Sequence, residues 1–116
     1  MPPLFARGDV VLTQFPFTDL TGASVRPALV VSQGLIGQDL VLAGISSVIR
    51  GALATTDYPI DTSHAEFSLT GLRVKSVIRL HKLAAVEYPI IVRRLGKIGP
   101  KLQIEVDRLL RVVLGL

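Results

Sequence analysis

At 116 residues, 49% of them hydrophobic and with a mean hydropathy of +0.52, the chain is the size of one domain and rich in core-forming side chains. The absence of cysteine excludes a disulfide framework, a thiolate nucleophile and a thiolate metal site. No apolar run reaches the roughly 18 residues of a membrane span, and Arg7 and Asp9 interrupt the N-terminus before a signal-peptide core could form, so a cytoplasmic protein with no membrane role is expected.

Residues 1–116 read as a single domain without repeats or linkers. Gly8 and Asp9 suggest a turn into "VVLTQF" (10–15), a β-branched strand. "PFTDLTGAS" (16–24) follows, a loop of nine residues, longer than the usual two to five or so of a hairpin. "RPALVVS" (26–32) is a second strand with Pro27 near its start, where a missing N–H donor is tolerated. After the turn "QGLIGQ", the nearly unbroken apolar run "DLVLAGISS" (39–47) predicts a central strand.

The stretch 49–72 predicts short strands around Tyr58–Ile60 and Glu66–Leu69. "RVKSVIRLHKLAAV" (73–86) alternates well enough for a strand with two different faces, and "YPIIVRRLG" is a weaker candidate because of Pro89. From Pro100 the period changes. Leu102, Val106, Leu109, Leu110 and Val113 form the stripe of an amphipathic helix, with proline at its start and Gly115 at its end. The expected fold is a small α+β, mainly β, barrel of antiparallel strands closed by a C-terminal helix.

Charge is distributed unevenly. Ten Lys/Arg and three acidic residues lie between Arg73 and Arg111, against three basic and six acidic residues in 1–72. A basic C-terminal third suits an acidic partner, either nucleic acid or an acidic protein, although a solvated surface has the same composition. The apolar surplus of so small a chain also predicts a homodimer.

Common enzymatic signatures are missing: there is no GxGxxG, GxxxxGK[ST] or HExxH. His64 reads as a surface-loop residue and His81 as a structural residue on a strand, while Asp57, Asp61 and Glu66 match no ion-binding spacing and read as solvated loop charges. What remains is Arg26, a fixed charge at the mouth of a buried strand, and the hydroxyls Ser46 and Ser47 that end the third strand. If strands two and three pair antiparallel, these residues share one rim beside the 16–24 loop. An arginine fork with a hydroxyl is a competent grip on a phosphate. A salt bridge from Arg26 to Asp9 or Asp19 is the competing reading.

"RGDVVLTQFPFTDLTGASVRPALVVS" resembles the N-terminal signature of the MazF/PemK toxin endoribonucleases: a Gly-Asp-Val strand, a loop, then Arg-Pro before an apolar strand. The resemblance continues through "LVLAGISSVIR", "KSVIRLHKL" and the C-terminal helix. It implies an SH3-like barrel of the MazF/CcdB type, a homodimer, an acidic antitoxin partner, and cleavage of single-stranded RNA without a metal or other cofactor. In the roles it carries over, Arg26 and Ser46 act on the scissile phosphate, with serine in place of the family's commoner threonine. Phe17, Thr18, Asp19 and Ser47 would then contact the substrate. Two other functions are compatible with the fold. One is a CcdB-like gyrase poison, disfavoured because the chain contains no tryptophan. The other is an SH3-like module that binds RNA or protein without cutting it.

Overall fold

The computed structural model describes residues 4–14, 25–49 and 51–116. Among these, six strands precede one long helix: β1 (Asp9–Gln14), β2 (Val25–Val30), β3 (Asp39–Ser46), β4 (Asp57–Ile60), β5 (Ser76–Glu87), β6 (Ile91–Lys97) and α1 (Pro100–Leu114). The strands form one sheet in the order β4-β5-β3-β2-β1-β6, and every neighbouring pair is antiparallel. No helix among the described residues is long and apolar enough to cross a membrane.

Two irregularities bend this sheet toward a barrel without closing it. On β5, Ala43 pairs with Leu83 whereas the next residue, Gly44, pairs with Arg79, so residues 80–82 form an extra loop of strand. On β1, the ladder to β6 shifts register at Val10/Val11 and again at Leu12/Thr13. Such bulges strengthen local twist and let a short sheet curl over its own core.

Strand alternation sorts the apolar side chains onto two faces. Val10, Leu29, Ala43, Ile45, Ile78 and Leu80 pack under Leu102, Val106, Leu109 and Leu110 of α1. Their chain neighbours Val11, Ala28, Val30, Leu40 and Leu42 point the other way and pack with Val86, Phe5, Leu35, Tyr88 and Ile90. β3 is therefore covered on both sides, as its unbroken apolar run requires.

Two segments depart from the expected elements. Residues 66–69, expected as a strand, belong to a 3-10 turn at Phe67–Thr70. Its buried residues, Phe67 and Thr70, are three apart rather than alternating, and the Thr70 hydroxyl closes the turn by donating to Phe67 O at 2.7 Å. Tyr88–Ile90 likewise forms a single 3-10 turn around Pro89, so β6 begins only at Ile91.

Glu66 and Asp57 also depart from expectation. Both are 7% exposed and neither is a solvated loop charge. α1 starts at Pro100 after Gly99, which has no side chain to cap it. Glu66 supplies the cap from elsewhere in the chain: the N–H groups of Leu102 and Lys101 donate to its carboxylate at 2.8 and 2.9 Å. A Cβ on Gly99 would stand 2.4 Å from that carboxyl group, so the approach requires glycine.

Candidate functional site

The sheet register decides which polar residues meet. Arg26 pairs with Thr13 on β1, and β2 meets β3 at Ala28↔Gly44, Leu29↔Ala43 and Val30↔Leu42. The ladder ends at Ala28↔Gly44, and Arg26 and Ser46 each lie two residues beyond that pair, at the same end of the two strands. The antiparallel pairing on which a shared rim depended is therefore present. Both residues belong to the alternation set of Ala28, Val30 and Leu42, on the face away from α1.

Each of the two has a defined setting. Arg26 is half-buried near the start of β2. Its proposed rival partner Asp9 lies four residues along β1 from Thr13, and its carboxylate is occupied by Ala6 N–H at 2.9 Å and Arg94 Nε at 3.2 Å. Ser46 Oγ donates to Val48 O at 2.7 Å and accepts Val48 N–H at 3.1 Å. This local turn ends β3 and holds the hydroxyl at the rim. To donate to a bound anion, Ser46 must exchange its bond to Val48 O for one to the ligand. Ser47 is exposed, one residue beyond the strand. Phe17, Thr18 and Asp19, with the rest of the 16–24 loop, lie outside the described residues, as does Asp19 as a salt-bridge partner for Arg26.

A second polar group occupies the same face one ladder step away, and sequence reasoning missed it. Arg79 pairs in register with Gly44 on one side and with Asp57 on the other. Its Nε donates to Asp57 Oδ1 at 3.0 Å and its Nη2 contacts Oδ2 at 3.5 Å, while Ala54 N–H donates to Oδ2 at 2.8 Å. His81 Nδ1 is 3.8 Å from Asp57 Oδ1 and is hydrogen-bonded to Thr56 Oγ1 at 2.7 Å. Burial alone would raise the Asp57 pKa, but the Arg79 hydrogen bond, the Ala54 N–H and the nearby cations outweigh it and hold the carboxyl below its ordinary value. The sequence did carry a signal for this group. Arg79 and His81 alternate with the buried Ile78 and Leu80, which marks one face of β5 as polar. What they would face was not legible.

The face therefore carries Arg26, Ser46, Arg79 and His81 around Ala28 and Gly44, which are both buried. Two guanidinium groups and a hydroxyl on one face are the chemistry that suits an extended polyanion. Among the described residues, no group of three or more His, Cys, Asp or Glu side chains is arranged to hold a metal ion.

Comparison with known proteins agrees with the architecture. No curated protein sequence matches the chain. Among solved structures, "Mycobacterium tuberculosis toxin MazF-mt6" superposes with a TM-score of 0.71 at 16% identity, covering 93% of this chain and 97% of that one. A MazE-MazF structure from Deinococcus radiodurans gives 0.71 at 18% identity and 99% coverage of both chains. An endoribonuclease from a mycobacterial species, solved in complex with its cognate antitoxin, gives 0.69 at 20% identity, covering 96% of this chain and 95% of that one. These likenesses establish the fold. The family described as "PemK-like, MazF-like toxin of type II toxin-antitoxin system" matches residues 6–114, nearly the whole chain, and the protein belongs to that family.

Proposed function

We propose that the protein is an endoribonuclease that cuts single-stranded RNA without a metal, and that it acts in the cytoplasm as a homodimer restrained by an acidic antitoxin. The observation that carries this reading is the antiparallel pairing of β2 with β3, which puts Arg26 and Ser46 each two residues beyond the Ala28↔Gly44 pair at the same end of the ladder, on a face that also holds Arg79. The two solved relatives whose names include an antitoxin support a partner of that kind.

RNA brings its own nucleophile, the ribose 2′-OH, so the site needs neither a serine nor a cysteine nucleophile. Attack on the adjacent phosphorus breaks the bond to the 5′ oxygen and leaves a 2′,3′-cyclic phosphate and a 5′-OH. The protein's main task is to stabilise negative charge growing on the phosphoryl oxygens. Arg26 does this as a charged, planar donor anchored by the buried strand behind it. Ser46 contributes a hydroxyl to a non-bridging oxygen once it turns from Val48 O. Phe17, Thr18, Asp19 and Ser47 are the residues assigned to contact the flanking nucleotides, on the family resemblance of the segment that carries them.

The test is incubation of the purified protein with a mixed single-stranded RNA in EDTA. Cleavage is expected in the wild type, with a loss of about 10²–10³-fold in rate for Arg26→Ala and a smaller loss for Ser46→Ala. RNA left intact by the wild type across a broad sequence panel overturns the nuclease reading. Cleavage that requires a divalent ion overturns the metal-free mechanism.

A further inference from the structure

Asp57 is shared by a guanidinium and an imidazole. Its side chain is fully buried, whereas those of Arg79 and His81 are each 32% exposed, so these two groups reach solvent and the anion does not. One oxygen, Oδ1, accepts from Arg79 Nε at 3.0 Å and stands 3.8 Å from His81 Nδ1. The other, Oδ2, is fixed by Ala54 N–H. We propose that Asp57 and His81 are a positioning pair for Arg79: the charge on His81 sets whether Asp57 holds the Arg79 guanidinium or yields it to an RNA phosphate. The identity of the ligand rests on the nuclease reading above. The coupling among the three side chains does not.

Neutral imidazole leaves one ring nitrogen as an acceptor, and Thr56 Oγ1 can donate to Nδ1 at the observed 2.7 Å. In that state Arg79 is, among the described residues, the only cation bonded to Asp57, and the trio carries no net charge. Charged imidazole must donate from both nitrogens, and Nδ1 then faces two acceptors, Thr56 Oγ1 and Asp57 Oδ1. Attraction to the second cation weakens the carboxylate's hold on Arg79 and leaves the trio at +1. Among the described residues, the other groups near His81 do not offset this. Thr56 and Asp57 come from the β4 side and Arg79 and the neighbouring Lys82 from β5, while the β3 residues that flank the 80–82 bulge, Ala43 and Gly44, carry no charge.

Position gives this coupling a consequence for binding. Arg79 pairs with Gly44, and Ser46 with Val77, so the two rows are about 7 Å apart along the strands. Arg26 can thus meet the scissile phosphate while Arg79 meets a neighbouring one. Protonation of His81 should therefore raise oligonucleotide affinity.

Two measurements test the proposal. In the free protein, heteronuclear NMR from pH 5.5 to 8.5 should show the Arg79 Nε–H resonance moving with the same midpoint as the His81 ring, and standing still in His81→Gln. Binding of an uncleavable, 2′-deoxy-substituted single-stranded oligonucleotide should strengthen about fivefold from pH 8 to pH 6 in the wild type. In His81→Gln, which keeps His64, that gain should be lost. An Arg79 signal that ignores His81, or the same pH dependence of binding in His81→Gln, overturns the positioning pair. Coupled NMR titrations in a protein that cuts no RNA leave the pair standing and remove the nuclease reading instead.

Discussion

Glu66 and Asp57 are both buried carboxylates, and they differ in what satisfies them. Glu66 takes two backbone N–H groups at the start of α1, fixed donors that cannot turn elsewhere. Asp57 takes one backbone N–H, and its remaining capacity goes to side chains that reach solvent. A buried anion satisfied by backbone locks two elements together. One satisfied by solvent-reaching cations leaves charge that a ligand can redirect. The helix side of the sheet is accordingly the structural face, and the opposite side carries the candidate site.

Substitutions on the two faces should separate stability from activity. The largest loss of stability is expected on the helix side: Leu102→Ala, at a fully buried position, should cost about 3–4 kcal/mol in urea or thermal unfolding. Glu66→Ala should follow at about 2 kcal/mol, because it strands two helix N–H groups, and Glu66→Gln should cost less because one acceptor oxygen survives. RNA cleavage per folded molecule should be unchanged by either Glu66 variant. On the other face, Asp57→Asn should cost about 1 kcal/mol, since Arg79 can turn to water, yet it should flatten the pH dependence of oligonucleotide binding. Equal stability costs for Glu66→Gln and Asp57→Asn, with no change in binding from either, would erase the distinction.

Acid provides the subtlest comparison. Burial pushes the Glu66 pKa up, but the N–H groups of Leu102 and Lys101 and the neighbouring positive charges outweigh it, and it ends below the ordinary 4.5. Asp57 likewise ends below its ordinary 3.8. A carboxyl group depressed in the folded state adds stability above its unfolded pKa and loses it as pH falls through the folded value. The stability gap between wild type and Glu66→Gln should therefore be flat above about pH 4.5 and narrow below it, with the Asp57→Asn gap narrowing at lower pH. Denaturant titrations from pH 7 to pH 3 measure both.

The parts of the fold that were legible in the sequence follow local rules. The strands at Asp9, Val25, Asp39 and Ser76 came from β-branched and apolar runs, and α1 from a stripe with a period of about 3.6. The turn at Phe67–Thr70 was mistaken for a strand because its spacing is set by a side-chain hydrogen bond and by the docking of Glu66 on a helix that begins 34 residues later. The partners of Asp57 illustrate the same limit. Arg79 lies 22 positions away, so nothing in the local pattern of "TTDYPID" distinguishes a buried ion pair from a solvated turn.

By itself the sequence determined that a rigid arginine heads a buried strand and that two serines close a central one, because proline, apolar runs and strand ends are local features. It also carried the succession of residues that placed the chain in its family. Only the tertiary structure decided that Arg26 and Ser46 lie at the same end of the β2–β3 ladder, that Arg79 and His81 share Asp57 on that same face, and that Glu66 caps the helix. Those relations depend on which strands pair and by how many residues they slide. A one-residue shift would turn the strand side chains among them to the other face.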